Sequence, residues 1–162
     1  MLLLMLALCI ALGSLAAAGA ALRLAVRLEA RVLALERPRP YPLGEQMGYL
    51  QRYVEKLYFA GRAQNWPLAD FYVHEVEETA DDIAAAKVTS EGVEVSRLLA
   101  GMLPPVVQSA AQAVQAKDPA LFQTRYAVLV NTCNACHQEA RHGFIKITVP
   151  ERPSVTNQSF GP

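Results

Sequence analysis

The 162-residue sequence predicts an all-α protein: an antiparallel four-helix bundle, led by a transmembrane and neck helix and followed by an extended tail. Three observations carry that expectation. Apolar residues recur at helical spacing in four segments after residue 42, the pattern of helices that each bury one stripe. Prolines and a capping aspartate punctuate those segments where helices start or stop. Alternating strand patterns and hairpin turns are absent, and amphipathic helices joined by short loops favour an antiparallel bundle.

Residues 1 to 22, "MLLLMLALCIALGSLAAAGAAL", contain no charge and are long enough to cross a bilayer core as a helix. A secretory signal peptide would carry a basic start, a shorter apolar run and small residues before the cut. Ala16 to Ala20 supply small residues, but the basic start is missing and the run is long, which favours a retained anchor. Either reading implies export. Cys9 follows the bulky Leu8 and reads as a buried apolar thiol rather than a lipidation site.

The next stretch, "RLAVRLEARVLALER", sets Leu24, Leu28, Val32 and Leu35 at near-helical spacing and continues the anchor as an amphipathic neck. "RPRPYP" at 37–42 stops it, because three prolines in six residues cannot continue a helix. A domain boundary is expected there, dividing 23–42 from a bundle over 43–145 and a tail over 146–162.

Within the bundle, the first helix is expected over 43–62, with Leu43, Met47, Leu50, Val54, Leu57 and Gly61 in line. The second starts at Trp66-Pro67 and runs to Lys87, burying Ala69, Tyr72, Val76, Ala80 and Ile83. The third spans 91–116 along Val95, Leu99, Met102, Val106, Ala110 and Ala113. Pro104-Pro105 are expected to kink or split it. The fourth opens at Asp118, a ready N-cap before Pro119, and runs to Arg141. The tail "VPERPSVTNQSFGP" should be extended, packed along the bundle, held by a partner or loose.

Charge narrows the function classes. The chain is neutral overall, but residues 1–42 carry Arg23, Arg27, Arg31, Arg37 and Arg39 against Glu29 and Glu36, and the rest is net acidic. The folded part therefore lacks the clustered basic charge of a nucleic-acid binder. The acidic run "HEVEETADD" reads as a solvated helix face, with a docking patch for a basic partner as the alternative.

The chemistry sits in "NTCNACHQEARHGF", residues 131–144. Cys133, Cys136 and His137 are three and four apart and share one helix face with Tyr126, Leu129 or Val130, and Ala140. C-x-x-C-H is the attachment signal for c-type haem. Two thiols at that spacing reach the two vinyl groups of one porphyrin, and the imidazole just beyond reaches the iron. His137 is then the proximal ligand, its other ring nitrogen bonded to a carbonyl or carboxylate. A thiol redox pair would open a helix in a βαβ setting, and this pair lies near a helix end in an all-helical chain. Zinc needs four ligands, and Cys133, Cys136 and His142 make three. Covalent haem places the domain on the periplasmic face of the inner membrane, whereas the neck arginines by the positive-inside rule favour the cytoplasm. The haem motif is the stronger signal.

Only 25 residues follow His137 and none is methionine; Met1, Met5, Met47 and Met102 all lie upstream. A four-helix bundle with its haem motif on the last helix resembles the cytochrome c′ family, the class II c-type cytochromes. The resemblance covers residues 43 to 145 and rests chiefly on "CNACHQEAR", where Arg141 matches a basic residue often found four after the histidine. It implies a distal face on the first helix, where Met47 stands a dozen residues before "FAGRA". Family members with methionine there are low-spin electron carriers, and those without leave the iron five-coordinate for small gases. Met102 is the second methionine candidate, and plain core the bland reading of either. Leu43 stands where the family often has an arginine for a haem propionate, and the anchor, neck and tail also depart from its soluble form.

His74 lies opposite the second stripe beside Glu75 and Glu78 and reads as solvated. His142 suits a helix C-terminus as a cation. Trp66, Phe71, Tyr72 and Tyr126 read as core or haem wall. The expected function is electron carriage by one covalently bound haem c, with no substrate bound and no bond made. The sites are Cys133, Cys136, His137, Met47 and Arg141, with His137 and Met47 on the iron. Partners are redox proteins, a membrane complex among them, with a homodimer allowed. A five-coordinate NO- or CO-binding protein is the alternative, as is a haem subunit of a larger respiratory or photosynthetic complex.

Overall fold

A computed structural model describes the backbone of residues 2–35, 40–154 and 157–162, and the side chains of residues 17–35, 40–154 and 157–162. The described chain is helical apart from one two-residue hairpin, in the order α1 (Leu2–Leu35), α2 (Leu43–Arg62), α3 (Trp66–Ala85), β1 (Thr89–Ser90), β2 (Val93–Glu94), α4 (Val95–Ala116) and α5 (Pro119–Glu139). It falls into two units, Met1–Pro40 and Tyr41–Pro162.

In the first unit α1 is one unbroken helix of 34 residues whose side chains from residue 17 to 35 are all exposed. Among the described residues no helix is long and apolar enough to cross a membrane. The expected anchor over 1–22 lies mostly outside the residues whose side chains are described, as does Cys9.

The second unit is built by α2 to α5 around a single apolar core. Each helix packs on the next in sequence, and α2 also meets α5. The helices start where local chemistry starts them. Asn65 accepts from the Leu68 N–H at the head of α3, and Asp118 accepts from the Ala120 and Leu121 N–H groups at the head of α5. Both satisfy donors that a first turn otherwise leaves orphaned. Pro67 and Pro119 occupy first-turn positions where no N–H is needed.

The ends follow one device three times. After α2, α4 and α5 the residues Gln64, Lys117 and Arg141 adopt left-handed φ values of 58°, 54° and 63°. Their N–H groups and those of the following residues bond back to the last turn, as Arg141 to Gln138 and His142 to His137 do at 3.1 and 2.7 Å. This is the Schellman closure, here made without glycine.

The core is aromatic where α2, α3 and α5 meet. Phe122 and Tyr126 are fully buried, with Trp66 set edge-on against Phe122 at 6.3 Å and Tyr58 tilted against Tyr126 at 4.8 Å. The Tyr126 hydroxyl donates to the Val54 carbonyl at 3.1 Å, so the buried phenol has its partner. Gly61 admits the Phe122 ring: a Cβ there would collide with three ring atoms.

Three expectations for the third helix are corrected: its start, a split at its prolines, and the line of its buried face. It starts at Val95, not 91, because residues 89–94 form an antiparallel hairpin whose central residues Glu91 and Gly92 have φ of 50° and 78°. Positive φ at both positions is the type I′ turn that matches strand twist. Ser96, buried, then ties the hairpin back: its hydroxyl donates to the Ile83 carbonyl at 2.5 Å and accepts the Val88 N–H at 2.8 Å. Nor is α4 split at Pro104-Pro105; it is continuous to Ala116. Both prolines are exposed, and so are Ala100 and Gly101, the residues whose carbonyls lose an N–H partner to them. The buried face steps through Leu99, Leu103, Val107 and Ala111, so Met102 and Val106 sit at its margin rather than in line.

The tail is strapped to the helices. Ser154 binds the Glu55 carboxylate through its N–H and hydroxyl, both at 2.5 Å, and Gln158 donates to the Tyr72 hydroxyl at 2.5 Å. Asn65 donates to the Gly161 carbonyl at 2.8 Å, and the Phe160 ring lies 5.5 Å from that of Phe59.

Candidate functional site

The last two turns of α5 present Cys133, Cys136 and His137 on one side, all half-buried. Beside them opens a cavity of about 440 Å³. Its walls come from α2 (Leu43, Gly44, Met47, Gly48, Leu50, Gln51, Val54), from α5 (Cys133, His137, Ala140) and from the chain just beyond α5 (His142, Ile145, Ile147). Ser90 and Val95 complete the lining from the hairpin and the head of α4. A smaller space of about 40 Å³ adjoins it, bounded by Met47, Met102, Cys133, Cys136 and His137 with Leu50, Leu99, Leu103 and Thr132. Met47 therefore reaches both spaces from α2, while Met102 reaches only the smaller from α4. The larger volume is that of pockets which enclose small organic ligands or cofactors, about 300–1,000 Å³.

His137 has a defined ring orientation. Its Nδ1 lies 2.9 Å from the Ile145 carbonyl oxygen. A carbonyl only accepts, so Nδ1 carries the proton and donates, and in the neutral ring Nε2 holds the free lone pair. That is the tautomer in which imidazole ligates a metal through Nε2 with a carbonyl as outer partner.

The thiols are held neutral. Burial, followed by the neighbouring Cys136, pushes the Cys133 thiol from its ordinary 9.0 up to about 11. Burial, followed by Glu139, raises Cys136 as well. A disulfide-exchange pair needs a thiolate stabilised at a helix N-terminus, and these two lie at the C-terminal end of α5, where the dipole works against a thiolate. Among the described residues no three His, Cys, Asp or Glu side chains cluster closely enough to hold a metal ion by themselves. Cys133, Cys136 and His142 are not brought together as such a cluster.

The remaining sequence candidates scatter. Arg141 lines neither space: it is exposed in the left-handed closure of α5, and its guanidinium donates to the Glu91 carbonyl at 3.3 Å, joining the helix end to the hairpin. His74 is exposed beside Glu78 at 3.4 Å. Trp66, Phe71, Tyr72 and Tyr126 line neither space; Tyr72 and Tyr126 are core, Trp66 packs against it, and Phe71 is half exposed.

Sequence reasoning missed the wall made beyond α5. His142 directs Nδ1–H to the Ala140 carbonyl at 2.7 Å and still lines the larger cavity. Ile145 and Ile147 do so across the exposed Lys146, although Ile145 keeps 42% of its own surface exposed and Ile147 is half-buried. Asn134, between the two cysteines, makes a double hydrogen bond to Ile147 that no spacing rule announces. No protein-family model, curated protein or solved structure matches the chain.

Proposed function

We propose that the chain is a monohaem c-type cytochrome that carries single electrons, with an antiparallel four-helix bundle of the cytochrome c′ type around its haem. The single observation that carries the reading is the meeting of Met47 from α2 with Cys133 and His137 from α5 on one cavity, the His137 Nε2 lone pair left free. The donor set fits the group: two thiols at C-x-x-C spacing, an imidazole in the ligating tautomer, and a thioether across an apolar space.

Haem c, when bound, supplies a one-electron Fe(III)/Fe(II) couple. The residues of the chain supply the rest. Cys133 and Cys136 offer the two sulfurs for thioether attachment. The Ile145 carbonyl keeps the proton on Nδ1 of His137, which leaves Nε2 as the proximal donor and makes it more basic. Met47 would offer its thioether to the iron from α2. Leu43, Leu50, Val54, Ile145 and Ile147 line the space with apolar surface, which would limit solvent reorganisation around a bound group. The exposed Gly44 and Gly48 keep the α2 side of the space free of bulk. The same reading places the domain at the periplasmic face of the inner membrane, tethered by residues 1–22 near membrane redox partners.

The test is the absorption spectrum of the matured protein, oxidised and reduced, with and without CO. A low-spin spectrum with a methionine–iron charge-transfer band, indifferent to CO and lost in Met47→Ala, is the expected result. A high-spin spectrum that shifts on CO removes Met47 from the iron and turns the reading to a five-coordinate gas-binding protein. Failure to attach haem at all overturns both.

A further inference from the structure

The carbonyl that orients His137 belongs to a short segment with no regular secondary structure, and such a segment holds a carbonyl in place only if it is itself held. On its N-terminal side the hold is local. The Schellman closure at Arg141 and His142 is followed by a turn in which the Ile145 N–H donates to the His142 carbonyl at 2.8 Å. On its C-terminal side the hold is one side chain. Asn134 Nδ2 donates to the Ile147 carbonyl at 2.8 Å, and Asn134 Oδ1 accepts the Ile147 N–H at 2.8 Å. The amide thus pairs with an extended residue as a neighbouring strand would, using a donor and an acceptor at once.

Asn134 lies one turn before His137 on α5, and the two partners they grip, Ile147 and Ile145, lie two residues apart on the facing segment. In an extended chain, residues two apart direct their side chains to the same face. The side chains of Ile145 and Ile147 accordingly both reach the cavity while the backbone is held from α5.

We infer that Asn134 is a positioning residue: by clamping Ile147 it fixes the Ile145 carbonyl against His137 and so sets the tautomer and orientation of the imidazole. The inference deepens the cytochrome reading, but its first measurement does not depend on haem. Asparagine has the reach and the donor–acceptor pair for this role. Aspartate keeps the acceptor for the Ile147 N–H and loses the donor, and alanine loses both.

The experiment compares the full chain with Asn134→Ala and Asn134→Asp, haem-free and with thiols reduced, by ¹⁵N NMR of the histidine rings. The wild-type His137 is expected as the Nδ1–H tautomer alone. Asn134→Ala should move it toward the tautomer mixture of a free imidazole, and Asn134→Asp should fall between, with helical circular dichroism unchanged in both. In the matured protein the same variants should shift the reduction potential in the same order while the C-x-x-C-H attachment persists. An unchanged His137 tautomer in folded Asn134→Ala overturns the inference. If Asn134→Ala fails to fold, the isosteric Asn134→Asp decides: a wild-type tautomer and potential there overturn it equally. A chain that never takes up haem would end the cytochrome reading, and the tautomer comparison would still decide the role of Asn134.

Discussion

At residue scale the fold turns on a few positions whose size or proton is constrained. Gly61 is one, because its missing side chain is what lets the Phe122 ring lie against α2. Gly61→Ala should destabilise the protein by about 1–3 kcal/mol, the usual cost of overpacking a filled core, read as a lower urea midpoint with an unchanged slope. Cys133 is another. In the haem-free chain its folded thiol is raised from 9.0 to about 11 by burial, so the unfolded chain releases the proton first as the pH rises. The stability tied to the neutral thiol is therefore complete below pH 9 and drains away between about 9 and about 11. The loss should be on the order of 2–3 kcal/mol by the conversion of pKa shift to free energy. Urea midpoints across that range should fall in the wild type and much less in Cys133→Ala. Met47 and His137 could be chosen from the sequence as candidates, one by resemblance and one by motif. A carbonyl or carboxylate on its other ring nitrogen was expected as well, but not that the partner would be the Ile145 carbonyl eight residues on.

At element scale, propensity and capping account for most of what forms. Asp118 caps α5 with two N–H bonds, so Asp118→Ala should cost about 1 kcal/mol, seen as a lower melting temperature. Lys117, just before it, stands at left-handed φ without being glycine. Lys117→Gly should therefore raise stability by a few tenths to about 1 kcal/mol, measured in the same melts. Two elements were not legible. The hairpin at 89–94 is too short to alternate, and its Glu91-Gly92 centre lacks the asparagine or aspartate that usually marks a type I′ turn. Of the kink or split expected at Pro104-Pro105, the split does not occur, and the prolines alone could not say so. Those prolines lie on the exposed side, while Leu99, Leu103 and Val107 pin the other side to the core.

At the scale of the whole molecule, the strapped tail reaches back to α2 and the head of α3, 86 to 99 residues earlier in the sequence. Deleting residues 148–162 would remove the Ser154, Gln158 and Gly161 bonds and the Phe160 contact, uncovering Phe59 and Tyr72. A loss on the order of 2 kcal/mol is expected, from one part-buried aromatic and a few hydrogen bonds, with a clear fall in melting temperature. An unchanged melt would mean that the tail contributes nothing to the fold. Sequence alone was enough for the all-helical class, the helix starts at Trp66-Pro67 and Asp118-Pro119, and the core stripe of α3 with most of that of α2. These depend on residues within a turn or two of one another, where spacing and capping act directly. It also put Cys133, Cys136 and His137 on one face of one helix, because three- and four-residue separations are short-range geometry. Only the tertiary structure decided that Met47 meets them on one cavity, that His142, Ile145 and Ile147 close its side, and that Asn134 holds the segment orienting His137. Those contacts join residues brought together by chain reversal after α5 and by packing between helices, and no local periodicity encodes either.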